Sequence, residues 1–147
     1  MKLEKLINFL DNIYHHKRII KFLSKYEILS LIDVGAHKGE FIKNFLKGKN
    51  KLKKIYAFEP QENIFKILDN RFKNDKKIKK FRNAIDCKIS KKTLFINKLS
   101  STSTLSKINE KSFFLKFKNI LTNSKNNFIN KYKVKTITLD NFLKNKN

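Results

Sequence analysis

Two acids and two glycines are spaced in a way that could bind a ligand containing a nucleoside. Asp33 lies two residues before Gly35, Gly39 follows four residues later, and Glu59 lies 20 residues beyond Gly39. A glycine turn at the start of a helix leaves backbone N–H groups free for polar ligand groups. An acid about 20 residues further along can accept hydrogen bonds from the two ribose hydroxyls. The spacing therefore predicts a ligand that contains adenosine.

The turn itself discriminates between adenosine ligands. A dinucleotide-binding turn is G-x-G-x-x-G, whereas this one reads GAHKG over residues 35–39 and follows Asp33. A carboxylate is a poor neighbour for a pyrophosphate and a good one for the sulfonium and α-amino cations of S-adenosylmethionine. We therefore expect S-adenosylmethionine and not NAD. The residues expected to bind it here are Asp33, Gly35, Ala36, Gly39 and Glu59.

Residues 28–60 must position these side chains. An apolar run, Leu29–Val34, ends at the first glycine, an amphipathic stretch follows the second glycine, and the run Ile55–Phe58 leads to Glu59. This pattern predicts a strand, a tight turn, a helix and a second strand. The residues predicted to form the buried side of this helix and of the next one are Phe41, Ile42, Phe45, Leu46, Ile64, Phe65, Ile67, Leu68 and Phe72.

Further strands are predicted at residues 78–84, 93–97 and 133–139, with a mobile loop at 119–131 and a short helix from Asp140.

The stretch DVGAHKGEF, followed by AFEP, resembles the FkbM-like S-adenosylmethionine-dependent methyltransferases. RNAIDCKISKKTLFIN, SSTSTL and VKTITLDNFL are similar to later elements of that family, so the resemblance covers roughly residues 28–143. It implies an α/β, Rossmann-like class I methyltransferase fold and methyl transfer to a hydroxyl of a sugar or other metabolite. It also implies that Asn83, Ala84 and Ile85 border the adenine ring, with Asp86 able to accept a hydrogen bond from the adenine amino group. Asn83 and Asp86 are equally typical of a turn that only shapes the chain.

The resemblance further implies that hydroxyls of residues 100–104 line the pocket for the methyl acceptor. The same hydroxyls could instead provide an N-cap, from Ser103 or Thr104, for a helix beginning at Leu105. The family's pattern continues beyond the Thr-Leu-Asp element, whereas this sequence ends at Asn147. We therefore expect an incomplete parallel sheet, with the edge of the first strand open to a second copy or a complementing chain. A cofactor-binding but inactive fragment remains an alternative.

No general base is evident from the sequence. His37, in the turn, is the only weak candidate for a catalytic residue, and a histidine at this position more often caps the helix or contacts solvent. His15 and His16 are adjacent, so their side chains point about 100° apart on a helix and cannot both bind one metal ion. We expect no metal site.

The net charge of +23 has two explanations. It could reflect binding to nucleic acid, which is the alternative function for this fold. However, arginine occurs only three times, while lysine, asparagine, isoleucine and phenylalanine are all over-used. These four residues have A/T-rich codons, so the base composition of the genome could also account for the charge.

Residues 1–27 are predicted to form an N-terminal helical segment, and residues 28–147 the cofactor-binding domain. The apolar stripe of the first segment could pack on the sheet, or a basic amphipathic helix could lie on an anionic membrane surface. No apolar run approaches the roughly 20 residues of a membrane span. Together with a single cysteine, this leads us to expect a cytoplasmic protein.

Overall fold

The computed structural model describes residues 11–48, 52–97, 103–106 and 128–144. Over these residues the chain is α/β and starts with a π-helical turn, Asp11–His16, that runs directly into helix α1, Lys17–Leu23. The elements that follow are β1 (Ser30–Val34), α2 (Glu40–Leu46), β2 (Lys54–Phe58), α3 (Glu62–Arg71), β3 (Ile78–Phe81), β4 (Ala84–Ile85), β5 (Ser90–Asn97), β6 (Phe128–Ile137) and α4 (Leu139–Lys144).

Strands β1, β2 and β3 form a parallel sheet in that order, with α2 and α3 as the crossover helices. The middle strand β2 is buried from Ile55 to Phe58, which explains its continuous apolar run. Strand β1 pairs with β2 on one side, and no strand in the described ranges pairs with its other side. The parallel register brings the carboxyl ends of β1 and β2 together, because Asp33 lies opposite Ala57.

Helices cover both faces of this sheet. One face packs against α2 and α3 through a buried cluster that includes Ile42, Phe45 and Leu68, with Ile20 and Leu23 of α1 against its margin. On the other face, Phe142 of α4 contacts the rings of three sheet residues. These are Tyr56, Phe58 and Phe81, with ring centroids 5.0–5.2 Å from that of Phe142. The sheet therefore has a helical layer on each side.

A second sheet, absent from the sequence prediction, has the order β4-β6-β5. Strand β4 runs parallel to β6, and β5 runs antiparallel to it. Thr136 of β6 is 1% exposed, and its hydroxyl lies 2.7 Å from the Lys88 carbonyl oxygen and 2.9 Å from the Ser90 nitrogen. Burying that hydroxyl is favourable because it is hydrogen-bonded. Thr136 thereby anchors the turn that leads into β5.

Several predicted boundaries were wrong. The strand predicted at 78–84 is divided between β3 and β4, which belong to different sheets. Residues 128–131 belong to β6 and not to a loop, while residues 119–127 and the stripe at 1–10 lie outside the described residues. Leu46 and Ile67, predicted to be buried, are 38% and 43% exposed, because each lies at the side of its helix and not on the face that meets the sheet.

Candidate functional site

The turn between β1 and α2 is held against the end of β2 by its own backbone. The N–H groups of Gly35 and Ala36 both donate to the carbonyl oxygen of Phe58, at 2.9 Å each. The next N–H group, that of His37, donates to the Glu59 carboxylate at 2.9 Å. Three consecutive amides are thus used within the protein. The turn is fixed before any ligand arrives, and a ligand must be bound largely by side chains and the remaining polar groups.

The two glycines of the turn have different physical roles. Both adopt a positive φ, +77° at Gly35 and +78° at Gly39, which disfavours any residue with a Cβ. A Cβ at Gly35 would meet no atom within 4 Å, so the space beside it is open to a ligand. A Cβ at Gly39 would lie 2.4 Å from the Phe72 ring and 2.9 Å from a Leu68 methyl group. Gly39 therefore allows the start of α2 to pack closely against α3.

Glu59, which follows β2, is only 3% exposed. One carboxylate oxygen accepts the His37 N–H, and the other accepts the Gln61 N–H at 2.8 Å. Burial raises the pKa of Glu59 above its ordinary value, although the hydrogen bonds from Gln61 and His37 oppose that rise. Each carboxylate oxygen can accept more than one hydrogen bond. Glu59 can therefore hold the turn and still accept from a ligand hydroxyl.

Asp33, near the end of β1, supplies the second carboxylate. Its Oδ2 atom is buried and accepts no hydrogen bond from the described part of the chain. Burial, followed by repulsion from the negative charge of Glu59, raises the pKa of Asp33 from 3.8 to about 6. A buried carboxylate oxygen without a hydrogen bond is costly for the folded protein. A positively charged ligand group beside Oδ2 would remove that cost, which makes this atom the strongest sign of a binding site.

His37 is oriented by the first turn of α2. It adopts a positive φ of 50°, and its Nδ1 atom lies 3.8 Å from the Glu40 carboxylate. Glu40 also faces Arg71 at 3.5 Å. Burial would raise the pKa of Glu40, but hydrogen bonds from His37 and from its own backbone, with the charge of Arg71, lower it. The ring of His37 is therefore directed towards the start of α2, and a role as a general base stays a prediction.

The residues predicted to border an adenine ring lie where the first sheet gives way to the second. Asn83 is partly buried, and Ala84 is buried at the start of β4. The N–H of Asp86 donates to the Ile137 carbonyl, and its carboxylate pairs with Lys92 and accepts the Cys87 N–H. The hydrogen bond from Lys92 lowers the pKa of Asp86. An adenine amino group would have to compete with Lys92 for this carboxylate.

The structure therefore brings Asp33, Gly35, Ala36 and Glu59 together at one edge of the first sheet. Gly39 lies beneath the turn, and the contacts of Asp86 are with the second sheet.

Two residues near this edge were missed. Gln61 is 8% exposed and helps to hold Glu59, and its place directly after the AFEP stretch could have identified it. The hydroxyl oxygen of Tyr132 accepts the Glu62 N–H at 3.0 Å. Partial burial raises the pKa of Tyr132, and the negative charge of Glu59 contributes to the rise. Tyr132 is 70 residues from Glu62 in sequence, so no local pattern indicated this contact.

The described residues contain neither a membrane-spanning helix nor a cluster of metal-binding side chains. None of their helices is both long and apolar enough to cross a membrane. Nor do they contain a group of three or more histidine, cysteine, aspartate or glutamate side chains that could hold a metal ion.

A protein-family model, the methyltransferase FkbM domain, matches residues 33–147 of this chain. No curated protein sequence is a significant match. The chain is similar to the methyltransferase domain of a bacterial protein, CtHen1-C, with 20% identity, a TM-score of 0.42, and 49% of this chain and 40% of that one covered.

It is also similar to a SAM-dependent methyltransferase from Aquifex aeolicus, with 18% identity, a TM-score of 0.41, and 50% of this chain and 40% of that one covered. A third similar structure is the plantazolicin methyltransferase BpumL in complex with SAH, with 19% identity, a TM-score of 0.41, and 58% of this chain and 36% of that one covered. The chain thus spans 36–40% of the length of these solved structures.

Proposed function

Because the chain belongs to the methyltransferase FkbM domain family, we propose that it binds S-adenosylmethionine beside the turn between β1 and α2. Membership confirms the resemblance and, with the three-stranded parallel sheet, the predicted Rossmann-like class I methyltransferase fold. The proposed reaction is methyl transfer to an oxygen of a sugar or another hydroxylated metabolite. One observation carries the cofactor proposal, namely that the buried Oδ2 atom of Asp33 has no hydrogen-bond partner among the described residues.

The residues present fit a cationic nucleoside. Asp33 offers a desolvated negative charge to a sulfonium or an α-amino group, an interaction that is stronger in a buried site than in water. Glu59 offers carboxylate lone pairs to the ribose hydroxyls. The open space beside Gly35 gives the ligand access. A dinucleotide fits less well, because its pyrophosphate would be repelled by both carboxylates.

When bound, S-adenosylmethionine supplies an electrophilic methyl group. The protein's part is chiefly to hold the acceptor oxygen in line with that group, since such transfers depend mainly on placement. His37 stays the candidate for removing the acceptor's proton. Asn83, Ala84 and Asp86 stay the candidates for contact with the adenine ring, since the Asp86 carboxylate can accept from an adenine amino group as well as from Lys92.

Calorimetric titration of S-adenosylmethionine is the direct test. We expect wild type to bind, and Asp33→Asn to bind about 10- to 100-fold more weakly, because a hydrogen bond to a charged group contributes about 1.5–3 kcal/mol. Glu59→Gln is also expected to weaken binding, in part because its amide keeps only one of the two acceptors that hold the His37 and Gln61 N–H groups. Glu27→Gln, at an exposed position of the loop before β1, is the control. Equal affinity of wild type and Asp33→Asn would disprove the proposal.

Methyl transfer requires a separate assay with a methyl-labelled cofactor and hydroxylated acceptors. Label transfer that His37→Gln reduces without weakening cofactor binding would support His37 as the base. Binding without transfer to any acceptor would favour the inactive, cofactor-binding alternative. A second copy or a complementing chain on the open edge of β1 also stays a prediction, as do cytoplasmic location and the division at residue 27.

A further inference from the structure

Helix α1 and the residues around it present apolar side chains to solvent. No residue of α1 is buried, although Ile20 and Leu23 pack against the margin of the core. Four other large side chains of this segment are largely exposed, at 45–70% of their surface. These are Tyr14, Ile19, Phe22 and Tyr26, which we call the outer apolar strip. Phe22 and Tyr26 contact each other, with ring centroids 5.5 Å apart.

The outer apolar strip is surrounded by positive charge. Residues 14–26 contain no aspartate or glutamate. They contain four exposed basic residues, namely Lys17, Arg18, Lys21 and Lys25. In the part of the chain that the structure describes, none of these four takes part in an ion pair. Apolar and cationic side chains are therefore interleaved on one exposed segment.

A separate groove, lined by none of the strip residues, adds to the positive charge around α1. It lies between α1 and α2, has a volume of about 670 Å³, and is lined by five cations and one acid. The cations are Lys17, Lys21, Lys43, Lys47 and Arg71, and the acid is Glu40. The acid is already paired with Arg71 at 3.5 Å. Four lysines remain to attract an anion.

We propose that this segment docks the domain on an anionic lipid surface, with the outer apolar strip in the headgroup layer and lipid phosphates at the basic residues of α1. Aromatic side chains favour that layer because each ring has an apolar body, and in tyrosine a polar tip as well. Nearby lysines gain from the negative potential of the membrane. The chemistry is that of an interfacial amphipathic helix, which lies on a bilayer without crossing it.

Other occupants fit less well. A second copy of the same face would bring eight like charges together. A nucleic acid would use the lysines, but its backbone offers no apolar layer for Ile19 and Phe22. An anionic bilayer supplies both negative charge for the basic residues and an apolar layer for the strip.

A tryptophan reporter gives a direct test, because the chain contains no tryptophan. Phe22→Trp places one in the strip, and Ile89→Trp places one at a 61%-exposed position in the turn before β5. The full chain is mixed with vesicles of phosphatidylcholine, with or without about 30% phosphatidylserine. We expect a blue shift of emission for Phe22→Trp with the anionic vesicles only, and none for Ile89→Trp. No shift for Phe22→Trp, or an equal shift for both, overturns the proposal.

Co-sedimentation with the same vesicles separates docking from general attraction to a basic protein. Lys17→Glu with Lys21→Glu is expected to weaken binding at least about 25-fold, at about five-fold for each lysine lost. The matched control, Lys76→Glu with Lys79→Glu, changes the net charge equally at exposed positions near β3 and is expected to bind much more tightly than the α1 pair. Equal losses for the two pairs would overturn the proposal.

Phe22→Ser with Tyr26→Ser tests the apolar part, with an expected loss of about ten-fold. Both side chains are more than half exposed, so folding should be retained, and circular dichroism checks it. An unchanged affinity of this variant for vesicles refutes insertion. Tighter binding of wild type to RNA than to anionic vesicles, or a dimer that this variant dissociates, would assign the face to another partner and overturn the proposal.

Discussion

Replacing Asp33 with asparagine should make the ligand-free protein more stable at neutral pH, although it removes a residue proposed to bind the cofactor. Burial and the charge of Glu59 raise the pKa of Asp33 from 3.8 to about 6. The folded state therefore binds a proton more readily than the unfolded state, so stability is lost as the pH rises from about 4 to about 6. Above that range the charged Asp33 carboxylate lowers the free energy of unfolding.

The size of the effect follows from the shift. Two pKa units correspond to about 3 kcal/mol, at about 1.4 kcal/mol for each unit. An amide in the same place is uncharged, but its own unpaired polar group costs about 1–2 kcal/mol. We therefore expect Asp33→Asn to raise the free energy of unfolding by about 1–2 kcal/mol at pH 7.5. Near pH 4 the gain should vanish or reverse, because Asp33 is then protonated in the folded state.

Urea unfolding at constant ionic strength, followed by far-ultraviolet circular dichroism at both pH values, measures this difference. Glu27→Gln removes an exposed carboxylate and should leave the free energy of unfolding within about 0.5 kcal/mol of wild type at either pH. The reasoning fails if Asp33→Asn is destabilised at pH 7.5 as much as at pH 4. That result would mean that Asp33 is well solvated or has a partner, and the cofactor proposal would lose its main support.

Three further predictions concern packing. Gly39→Ala should lower the free energy of unfolding by about 2–4 kcal/mol, because the added Cβ overlaps the Phe72 ring. Gly35→Ala should lower it by only about 1–2 kcal/mol, through backbone strain alone. Thermal unfolding of the two variants tests this difference. Thr136→Val should lower the free energy of unfolding by about 1–3 kcal/mol, because the hydroxyl hydrogen bonds are lost, and urea unfolding measures this. Calorimetry should show an unchanged affinity for the cofactor. Phe142→Ala should lower the free energy of unfolding by about 3–5 kcal/mol, because it leaves a cavity between α4 and the first sheet. An unchanged melting temperature would contradict that packing.

The first sheet was predictable because its signals are local. Strands β1 and β2 are short apolar runs that end at a glycine and an acid, and parallel order follows from the intervening helices. The proximity of Asp33 and Glu59 also followed, since both residues lie at the carboxyl ends of neighbouring strands. The hydrogen bonds from His37 and Gln61 to Glu59 were not predicted, because they depend on the path of the turn and not on residue type.

The second sheet could not be read from the sequence in the same way. Strands β5 and β6 are separated by 30 residues, and no short turn fixes their register. The strand predicted at residues 78–84 is interrupted at Arg82 and Asn83, which carry the chain from one sheet to the other. For a related reason, too many apolar helix residues were predicted to be buried. An apolar residue at the margin of a stripe, such as Ile67, is buried only if a neighbour covers it.

The contact between α4 and the first sheet also determines how this protein can be observed in solution. The chain has no tryptophan and four tyrosines, of which Tyr14 and Tyr26 are 70% and 57% exposed. Tyr56 is 9% exposed, and its ring meets that of Phe142 at an interplanar angle of 77°. Near-ultraviolet dichroism requires a fixed, asymmetric surrounding for a ring. Tyr56 and Tyr132, whose hydroxyl accepts the Glu62 N–H, should therefore dominate that spectrum, and the Tyr56 signal should disappear when α4 detaches, even while the far-ultraviolet spectrum is still largely unchanged.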